Sequence, residues 1–396
     1  MNASIRDAFI NLPHPPIFRY NLTNNNIVRQ QAFPRSPIMF NYTDLAIAFF
    51  IALISTFLLT FPVKKLAIKL KAVDLPNYRK IHKKVTPRIG GVAIFAGVIM
   101  GGLYLQPFHP HLPEIILGAI VILLTGALDD RFAIRPVIKL TGQLIAASFL
   151  ISSGLIIDRI TLPIIGMIDL GFMSVLITVL WIVGITNAIN LIDGLDGLAT
   201  GVTTIALSSM FIMAIIDARV LAAYLCIVLI GANLGFLYHN FYPAKIYMGD
   251  AGSNFLGYMI AVVSIVGLFK NIALFSFIIP VIVLAVPIFD TLFAIVRRAY
   301  NKEPIMMPDN KHIHYRLIAT GFSHRKTVLI IYAFSALFGT MAILFSYASL
   351  TTALVITFLV LLLLQIFAEI GGVVMGGKRP VIDSVGRVFR RREKQQ

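Results

Sequence analysis

The polar stretch formed by residues 187–201 has the side chains whose types and spacing best suit chemistry. Asn187 and Asn190 are three residues apart, so at the end of a helix they share one face. Asp193 and Asp196 repeat that spacing, and each is followed by a glycine that lets the backbone leave a helix. Carboxylate and carboxamide oxygens suit Mg²⁺ held together with a substrate phosphate. The stretch therefore predicts a magnesium and phosphate site, with a capped helix–helix turn as the plain alternative.

The adjacent pair Asp129 and Asp130 is a second candidate, because it follows directly after an apolar run. Two carboxylates at the C-terminal end of a helix oppose the helix dipole, so they need a nearby positive charge. A metal ion could supply that charge, and so could three basic side chains that follow in the sequence. These are Arg131, Arg135 and Lys139.

Two basic segments complete the set of candidates. His312 and His314 are two residues apart, hence on one side of an extended loop, and Lys311 and Arg316 lie beside them. Four side chains of this kind can hold a diphosphate, and a solvated basic loop is the alternative. Residues 79–84 are also basic, but such a segment can simply mark the cytoplasmic side of a membrane.

The composition places these residues in a membrane protein. Of the 396 residues, 58% are hydrophobic and only 13% are charged, with a mean hydropathy of +0.86. This profile is typical of a polytopic membrane protein and not of a soluble enzyme with a large core. The single cysteine, Cys226, lies in an apolar run, which excludes disulfides and cysteine metal sites. The placement of the net charge of +16 argues against nucleic acid as a partner.

We predict an all-α fold with about eleven transmembrane helices, since several apolar segments approach the ~20 residues that a helical span requires. The third segment is short, and residues 217–219 form the least secure boundary. Pro280 and Pro287 should kink or break the ninth segment. The segments cover approximately residues 43–63, 89–107, 113–128, 137–157, 172–191, 196–216, 220–238, 251–269, 271–297, 327–347 and 350–370.

The basic residues orient these segments. Most of the 34 lysines and arginines fall on one side when the loops are sorted alternately, and only Arg159, Arg219 and Lys270 lie between segments on the other. By the positive-inside tendency, the N-terminus lies outside and the C-terminus is cytoplasmic. We therefore expect an extended or disordered extracytoplasmic segment 1–42, a membrane domain 43–370 and a basic cytoplasmic tail 371–396.

The same sorting places every polar cluster on the cytoplasmic side of the membrane. A transporter should instead place polar groups near the middle of the membrane, with access from both faces. Polar clusters on one side indicate a reaction between a lipid and a cytoplasmic substrate.

Taken together, these clusters resemble the polyprenyl-phosphate N-acetylhexosamine-1-phosphate transferases of glycosyltransferase family 4. The resemblance is greatest to the branch that begins the linkage units of wall teichoic acid and polymers of the O-antigen type. One position departs from the family pattern, since Tyr315 stands where the family usually has a third histidine, and tyrosine cannot be a cation. The matching strings are Val73-Asp-Leu-Pro76, Arg79-Lys80-x-His82, Pro87-Arg-x-Gly-Gly91, Leu128-Asp-Asp130, residues 187–201, Pro243–Ser253 and Pro287-Ile-Phe-Asp290.

The resemblance implies an enzyme that transfers N-acetylglucosamine 1-phosphate from UDP-N-acetylglucosamine to undecaprenyl phosphate and releases UMP. It further implies Mg²⁺ or Mn²⁺ as cofactor, the bacterial plasma membrane as location, and an active site on the cytoplasmic face. We favour direct attack by the lipid phosphate over a covalent aspartyl intermediate. A phosphate monoester has a second pKa of about 6, so near neutral pH it is already mostly the dianion.

The same resemblance assigns roles to individual residues. Asn190 and Asp250 would bind the metal that bridges the donor diphosphate. The catalytic carboxylates would be Asp129 and Asp130, which orient or deprotonate the lipid phosphate. Asp193 and Asp196 would be catalytic carboxylates that position the uridine and neighbouring groups. The implied substrate ligands are Lys80, His82, Lys139, Asn187, His312, His314 and Arg316.

Two alternatives stay open. A related enzyme transfers phospho-N-acetylmuramoyl-pentapeptide to the same lipid, but the string His312–Leu317 resembles the amino-sugar branch more closely. A non-enzymatic lipid-phosphate transporter would need polar residues buried in the middle of its spans, and the apolar segments contain almost none. The implied partners are UDP-N-acetylglucosamine, undecaprenyl phosphate and the lipid bilayer, and whether the chain forms a homodimer is open.

Overall fold

The computed structural model describes residues 40–74, 85–162, 166–267, 278–302 and 312–370. Helices dominate this part of the chain, because a backbone inside a bilayer can satisfy its polar groups only internally. The helices are α1 Tyr42–Lys69, α2 Gly91–Leu105, α3 Leu112–Phe132, α4 Pro136–Ser152, α5 Met173–Ile192, α6 Leu198–Ile216, α7 Val220–Asn240, α8 Gly249–Gly267, α9 Ile278–Val283, α10 Ala285–Tyr300, α11 Ile313–Ala319, α12 His324–Ser346 and α13 Leu350–Ile370.

Each predicted apolar segment overlaps at least one of these helices. Within the described ranges, eight helices are long and apolar enough to cross a membrane, namely α1, α3, α5, α6, α7, α8, α12 and α13. Helices α2 and α4 are apolar but shorter. A polytopic, mainly helical membrane protein is therefore confirmed, whereas the count of eleven spans stays a prediction. Most of segment 1–42 and all of tail 371–396 lie outside the described residues.

Short strands are a feature that the all-α prediction did not include. Strand β1, Val73–Asp74, pairs antiparallel with β2, Thr86–Pro87. Strand β3, Arg159–Leu162, pairs antiparallel with β4, Gly166–Asp169. Both pairs lie between helices, where residues such as Val, Ile and Thr favour extended backbone. They leave the helical architecture unchanged.

Two helix boundaries bear on the site. The ninth segment breaks at Leu284 into α9 and α10, with Pro280 inside the first and Pro287 in the first turn of the second, as predicted. Helix α3 is longer than the short segment predicted for it, because it continues to Phe132. Asp129 and its neighbour therefore lie within the last helical turn and not after it.

Helix α8 lies at the centre of the bundle. All of its side chains from Gly249 to Gly267 are buried. It packs against α2, α3, α5, α6 and α7. The first turn of α8 contains Asp250, so this burial brings the ends of several helices around one carboxylate.

Candidate active site

Charged side chains from four separate elements meet at the start of α8. Arg88 precedes α2, Asp129 is in the last turn of α3, Lys139 is in the first turn of α4, and Asp250 is in α8. Arg88 Nη2 donates a hydrogen bond of 2.8 Å to Asp250 Oδ1. Lys139 Nζ donates to the other oxygen, Oδ2 of Asp250, and lies 3.3 Å from Asp129 Oδ2. Two cations thus hold the Asp250 carboxylate, and Lys139 joins it to Asp129.

Asp130 has a different environment from its neighbour. Its Oδ1 accepts the backbone N–H of Asp250 at 2.8 Å, and its Oδ2 accepts that of Ala251 at 2.9 Å. Arg88 Nε lies 3.1 Å from Asp130 Oδ1, and the Asp130 side chain is 0% exposed. Asp130 therefore caps the N-terminus of α8, where a carboxylate also complements the helix dipole. The Asp130 side chain is enclosed in this structure, and its predicted role on the lipid phosphate stays a prediction.

The two asparagines of α5 contact different helices. Asn187 Nδ2 donates to Gln143 Oε1 of α4 at 2.9 Å and to the Val183 carbonyl at 2.8 Å. Asn190 Nδ2 donates to Ser253 Oγ of α8 at 2.8 Å. Among the described residues nothing donates to the side-chain oxygen Oδ1 of Asn190, so this oxygen can act as a ligand.

Asp193 and Asp196 lie in the loop between α5 and α6. Asp196 Oδ2 accepts the backbone N–H of Ala244 at 2.8 Å. The Asp193 carboxylate accepts no hydrogen bond from the described residues. Burial is the main cause that raises the pKa of Asp193 to about 7. The nearby carboxylates of Asp250 and Asp196 raise it further, and the positive charge of Arg88 opposes them. A cation or a hydrogen-bond donor brought by a ligand would stabilise the charged form of such a carboxylate.

The predicted histidine cluster is held by an aspartate of α10. His312 Nδ1 lies 2.9 Å from Asp290 Oδ2, and the backbone N–H of Ile313 donates to Asp290 Oδ1 at 3.0 Å. Because a carboxylate only accepts, Nδ1 of the ring carries the proton and Nε2 remains for a ligand. The rings of His312 and His314 are stacked, with centroids 5.8 Å apart.

His314 is fully buried, and neither of its ring nitrogens has a hydrogen-bond partner among the described residues. Burial lowers the pKa of His314 to about 4, with Asp290 acting in the opposite direction. The ring fits against the loop before α6, because a Cβ added at Gly194 would lie 2.2 Å from His314 Nε2. His314 is therefore neutral near pH 7 in this structure.

This lowered pKa gives an expected pH dependence of stability. An unfolded histidine has a pKa of about 6.5, so between pH 6.5 and 4 the unfolded chain binds more protons than the folded one at His314. Stability should therefore fall as the pH is lowered through that range. Unfolding temperatures in detergent at pH 7.5 and 5.0 measure this difference, which should be smaller for His314→Gln than for the wild type.

The matched control is His111→Gln, which changes a histidine before α3, at the other end of that helix from the site. It should keep the pH dependence of the wild type. An identical pH dependence for His314→Gln and the wild type would contradict the assignment of His314 as a buried neutral ring.

Comparisons with known proteins place this sequence in a family. The family model for glycosyl transferase family 4 matches residues 112–268, which include α3 through α8. The probable undecaprenyl-phosphate N-acetylglucosaminyl 1-phosphate transferase of Bacillus subtilis (strain 168) is 46% identical over 352 residues, which cover 88% of this chain and 98% of that protein. The chain belongs to glycosyl transferase family 4. The family predicted from the motifs is thereby confirmed.

Two more distant relatives share substrates in their names with the Bacillus protein. The decaprenyl-phosphate N-acetylglucosaminephosphotransferase of Mycobacterium tuberculosis (strain ATCC 25618 / H37Rv) is 38% identical over 321 residues, covering 73% of this chain and 79% of that protein. The undecaprenyl-phosphate alpha-N-acetylglucosaminyl 1-phosphate transferase of Salmonella typhi is 30% identical over 333 residues, covering 80% and 88%. The names of all three relatives combine a polyprenyl phosphate with N-acetylglucosamine.

Not every predicted site residue of this family 4 chain can be placed. Lys80 and His82 lie outside the described residues. Arg316 is half-buried on α11, two residues after His314. The roles assigned to these residues stay predictions.

Two site residues were not identified from the sequence. Arg88 and Asp290 appeared only within longer family strings, and neither was assigned a role. A single arginine next to a glycine pair at the start of an apolar segment is the signal that could have found Arg88, because an isolated charge there needs a partner. Asp290 gave the same kind of signal, since it lies inside an otherwise apolar run.

Magnesium fits the donor set of this family 4 site. Within the described ranges, no three His, Cys, Asp or Glu side chains form a metal site by themselves. Mg²⁺ usually keeps several waters and takes further ligands from substrate phosphates, so a small set of protein oxygens is sufficient. The cluster also has more carboxylates than cations among its members, which are Arg88, Asp129, Asp130, Lys139, Asp193 and Asp250.

Proposed function

We propose that this chain transfers N-acetylglucosamine 1-phosphate from UDP-N-acetylglucosamine to undecaprenyl phosphate and releases UMP. The observation that supports this most directly is the network of Arg88, Asp129, Lys139 and Asp250 at the ends of membrane helices. Phosphoryl transfer depends mainly on positioning and on neutralising spread-out negative charge, and this network provides both. The Bacillus relative, aligned over nearly its whole length, has the corresponding activity in its name.

The cofactor in this proposal is Mg²⁺, or Mn²⁺. The Asp250 carboxylate and the side-chain oxygen Oδ1 of Asn190 would hold it. Asp193 is close enough to Asp250 to raise the negative potential at the same place. When bound, the metal would neutralise charge on the donor diphosphate. Lys139 and Arg88 would then supply fixed positive charge beside the phosphates.

The reaction in this proposal is a single displacement. An oxygen of the lipid phosphate attacks the β-phosphorus of the donor, and the bond from that phosphorus to the UMP oxygen breaks. No proton has to leave the nucleophile, since the lipid phosphate is mostly a dianion near neutral pH. Asp130 is enclosed and bound to backbone amides, so it is a poor nucleophile. Asp129 is paired with Lys139, which favours a role in placing the lipid phosphate.

The topology in this proposal has about eleven spans, an outer N-terminus, a cytoplasmic C-terminus and a cytoplasmic active site in the bacterial plasma membrane. It rests on the distribution of lysine and arginine over the loops. The polymer would be wall teichoic acid or a related cell-wall polysaccharide. Among the described residues, Arg88, Asp129, Lys139 and Asp250 meet within one chain.

Release of UMP tests the proposal directly. We expect purified protein with Mg²⁺ to release UMP only when undecaprenyl phosphate and UDP-N-acetylglucosamine are both present. A panel of UDP-sugars, including UDP-N-acetylmuramoyl-pentapeptide, identifies the donor. Preference for the pentapeptide donor would overturn the assignment. Exchange of labelled UMP into the UDP-sugar at the turnover rate, with lipid rigorously removed, would establish a covalent intermediate instead of direct displacement.

A further inference from the structure

The loop between α5 and α6 is fixed at its last residue, Gly197. This residue has φ +78°, in the left-handed region, and as a glycine it has no side chain with which to cap α6. Tyr332 of α12 donates from its hydroxyl to the Gly197 carbonyl at 2.5 Å. One tyrosine thus holds the loop that contains Asp193 and Asp196.

The N–H of the same residue, Gly197, is held by Asn240, which is 2% exposed at the end of α7. Its Oδ1 accepts the Gly197 N–H at 3.1 Å and the Thr200 hydroxyl at 2.8 Å. Its Nδ2 donates to the Ile246 carbonyl at 3.0 Å. Asn240 therefore links the loop to the segment that leads directly to Asp250.

The ring of Tyr332 reaches this position because Gly201 is small. A Cβ at Gly201 would lie 2.0 Å from the hydroxyl oxygen of Tyr332. Gly201 is one turn after Gly197 and its N–H donates to the Gly197 carbonyl at 3.0 Å. The tyrosine hydroxyl therefore shares that carbonyl with the first bond of α6. This arrangement fixes both the direction of α6 and the exit of the loop.

We propose that Tyr332, together with Asn240, is a positioning residue for the nucleoside-diphosphate sugar. This inference rests on the proposed function, in which Asp193 and Asp196 contact the donor. The Asp196 carboxylate accepts the Ala244 N–H, but the Asp193 carboxylate accepts no hydrogen bond from the described residues, so its position depends on the backbone of the loop. The Tyr332 contact is on α6, whereas Lys139 and Asp129 lie on α4 and α3. A looser Gly197 should therefore weaken binding of the donor sugar nucleotide more than binding of the lipid phosphate.

The test compares Tyr332→Phe with the matched control Tyr347→Phe. Phenylalanine keeps the ring beside Gly201 and removes one hydrogen bond. Tyr347 follows α12, and its hydroxyl donates to Asp217 at the other end of α6, at 3.3 Å. We expect KM for the UDP-sugar to rise about fivefold in Tyr332→Phe, as the loss of one hydrogen bond predicts. KM for undecaprenyl phosphate and the unfolding temperature should match those of Tyr347→Phe.

A second measurement does not depend on activity. Hydrogen exchange of the backbone amides in residues 193–201 should be faster in Tyr332→Phe than in Tyr347→Phe. Unchanged exchange, or equal increases in both KM values, would overturn the inference. Faster exchange with an unchanged donor KM would also overturn it. A wild-type protein that releases no UMP with any donor would instead refute the proposed function, while the exchange result would still report on the contact with Gly197.

Discussion

Asp250→Asn is expected to lower turnover roughly 100-fold or more while the protein still folds. The Asp250 carboxylate is the group that both Arg88 and Lys139 contact, and it is the proposed metal ligand. Asparagine keeps the size of the side chain but removes its charge. The side chains of Arg88 and Lys139 are 37% and 22% exposed, so water can solvate both cations when they lose this partner. UMP release at saturating substrates measures the effect, and a higher Mg²⁺ concentration should be needed for the remaining activity.

The control for this variant is Asp169→Asn, which removes a carboxylate from the exposed ion pair with Arg159. Exposed pairs contribute little, so turnover and stability should stay close to those of the wild type. Turnover of Asp250→Asn close to the wild-type value at ordinary Mg²⁺ concentration would show that Asp250 does not bind the metal.

The second large effect separates two adjacent aspartates. Asp130→Ala should destabilise the fold by about 2 kcal/mol or more, because it leaves the buried N–H groups of Asp250 and Ala251 without their acceptor. Asp129→Ala should lower turnover with little loss of stability, because the Asp129 side chain is 12% exposed and accepts no backbone N–H of α8. Thermal unfolding in detergent, beside UMP release, gives both quantities.

Asp130→Asn provides the intermediate case. Its side-chain oxygen can still accept one of the two backbone bonds, so its stability should lie between those of the wild type and Asp130→Ala. Equal losses of stability in Asp129→Ala and Asp130→Ala would contradict the capping role of Asp130. If Asp130→Ala lost turnover but kept normal stability, Asp130 would instead act on the substrate.

The helices could be predicted because a membrane span has a simple sequence requirement. A continuous apolar run must satisfy its backbone internally, so each segment became helical. The ends were less predictable, because charged residues such as Asp129 continue the α3 helix once a partner neutralises them. The break near Leu284 followed from Pro280 and Pro287, whose rings and missing N–H groups interrupt the helix.

Most residues of the site could be predicted from the sequence, but their ion-pair and hydrogen-bond partners could not. Lys139 was a candidate partner for the two aspartates, and the structure places it beside Asp129. Asp130 instead pairs with Arg88 and with backbone amides far away in the chain. Sequence spacing cannot reveal such pairs, because they depend on which helices pack against α8. For the same reason the neutral state of His314 could not be read from its basic neighbours.

The position of α8 has a consequence for how the protein is made in the cell. This helix has the lowest hydropathy of the eight candidate spans, and all of its residues are covered by protein. A segment of this kind, with Asp250 in its first turn, gains little from entering lipid alone. We infer that α8 is accepted into the membrane by the helices synthesised before it, because Lys139 of α4 and Arg88, which precedes α2, can pair with its carboxylate.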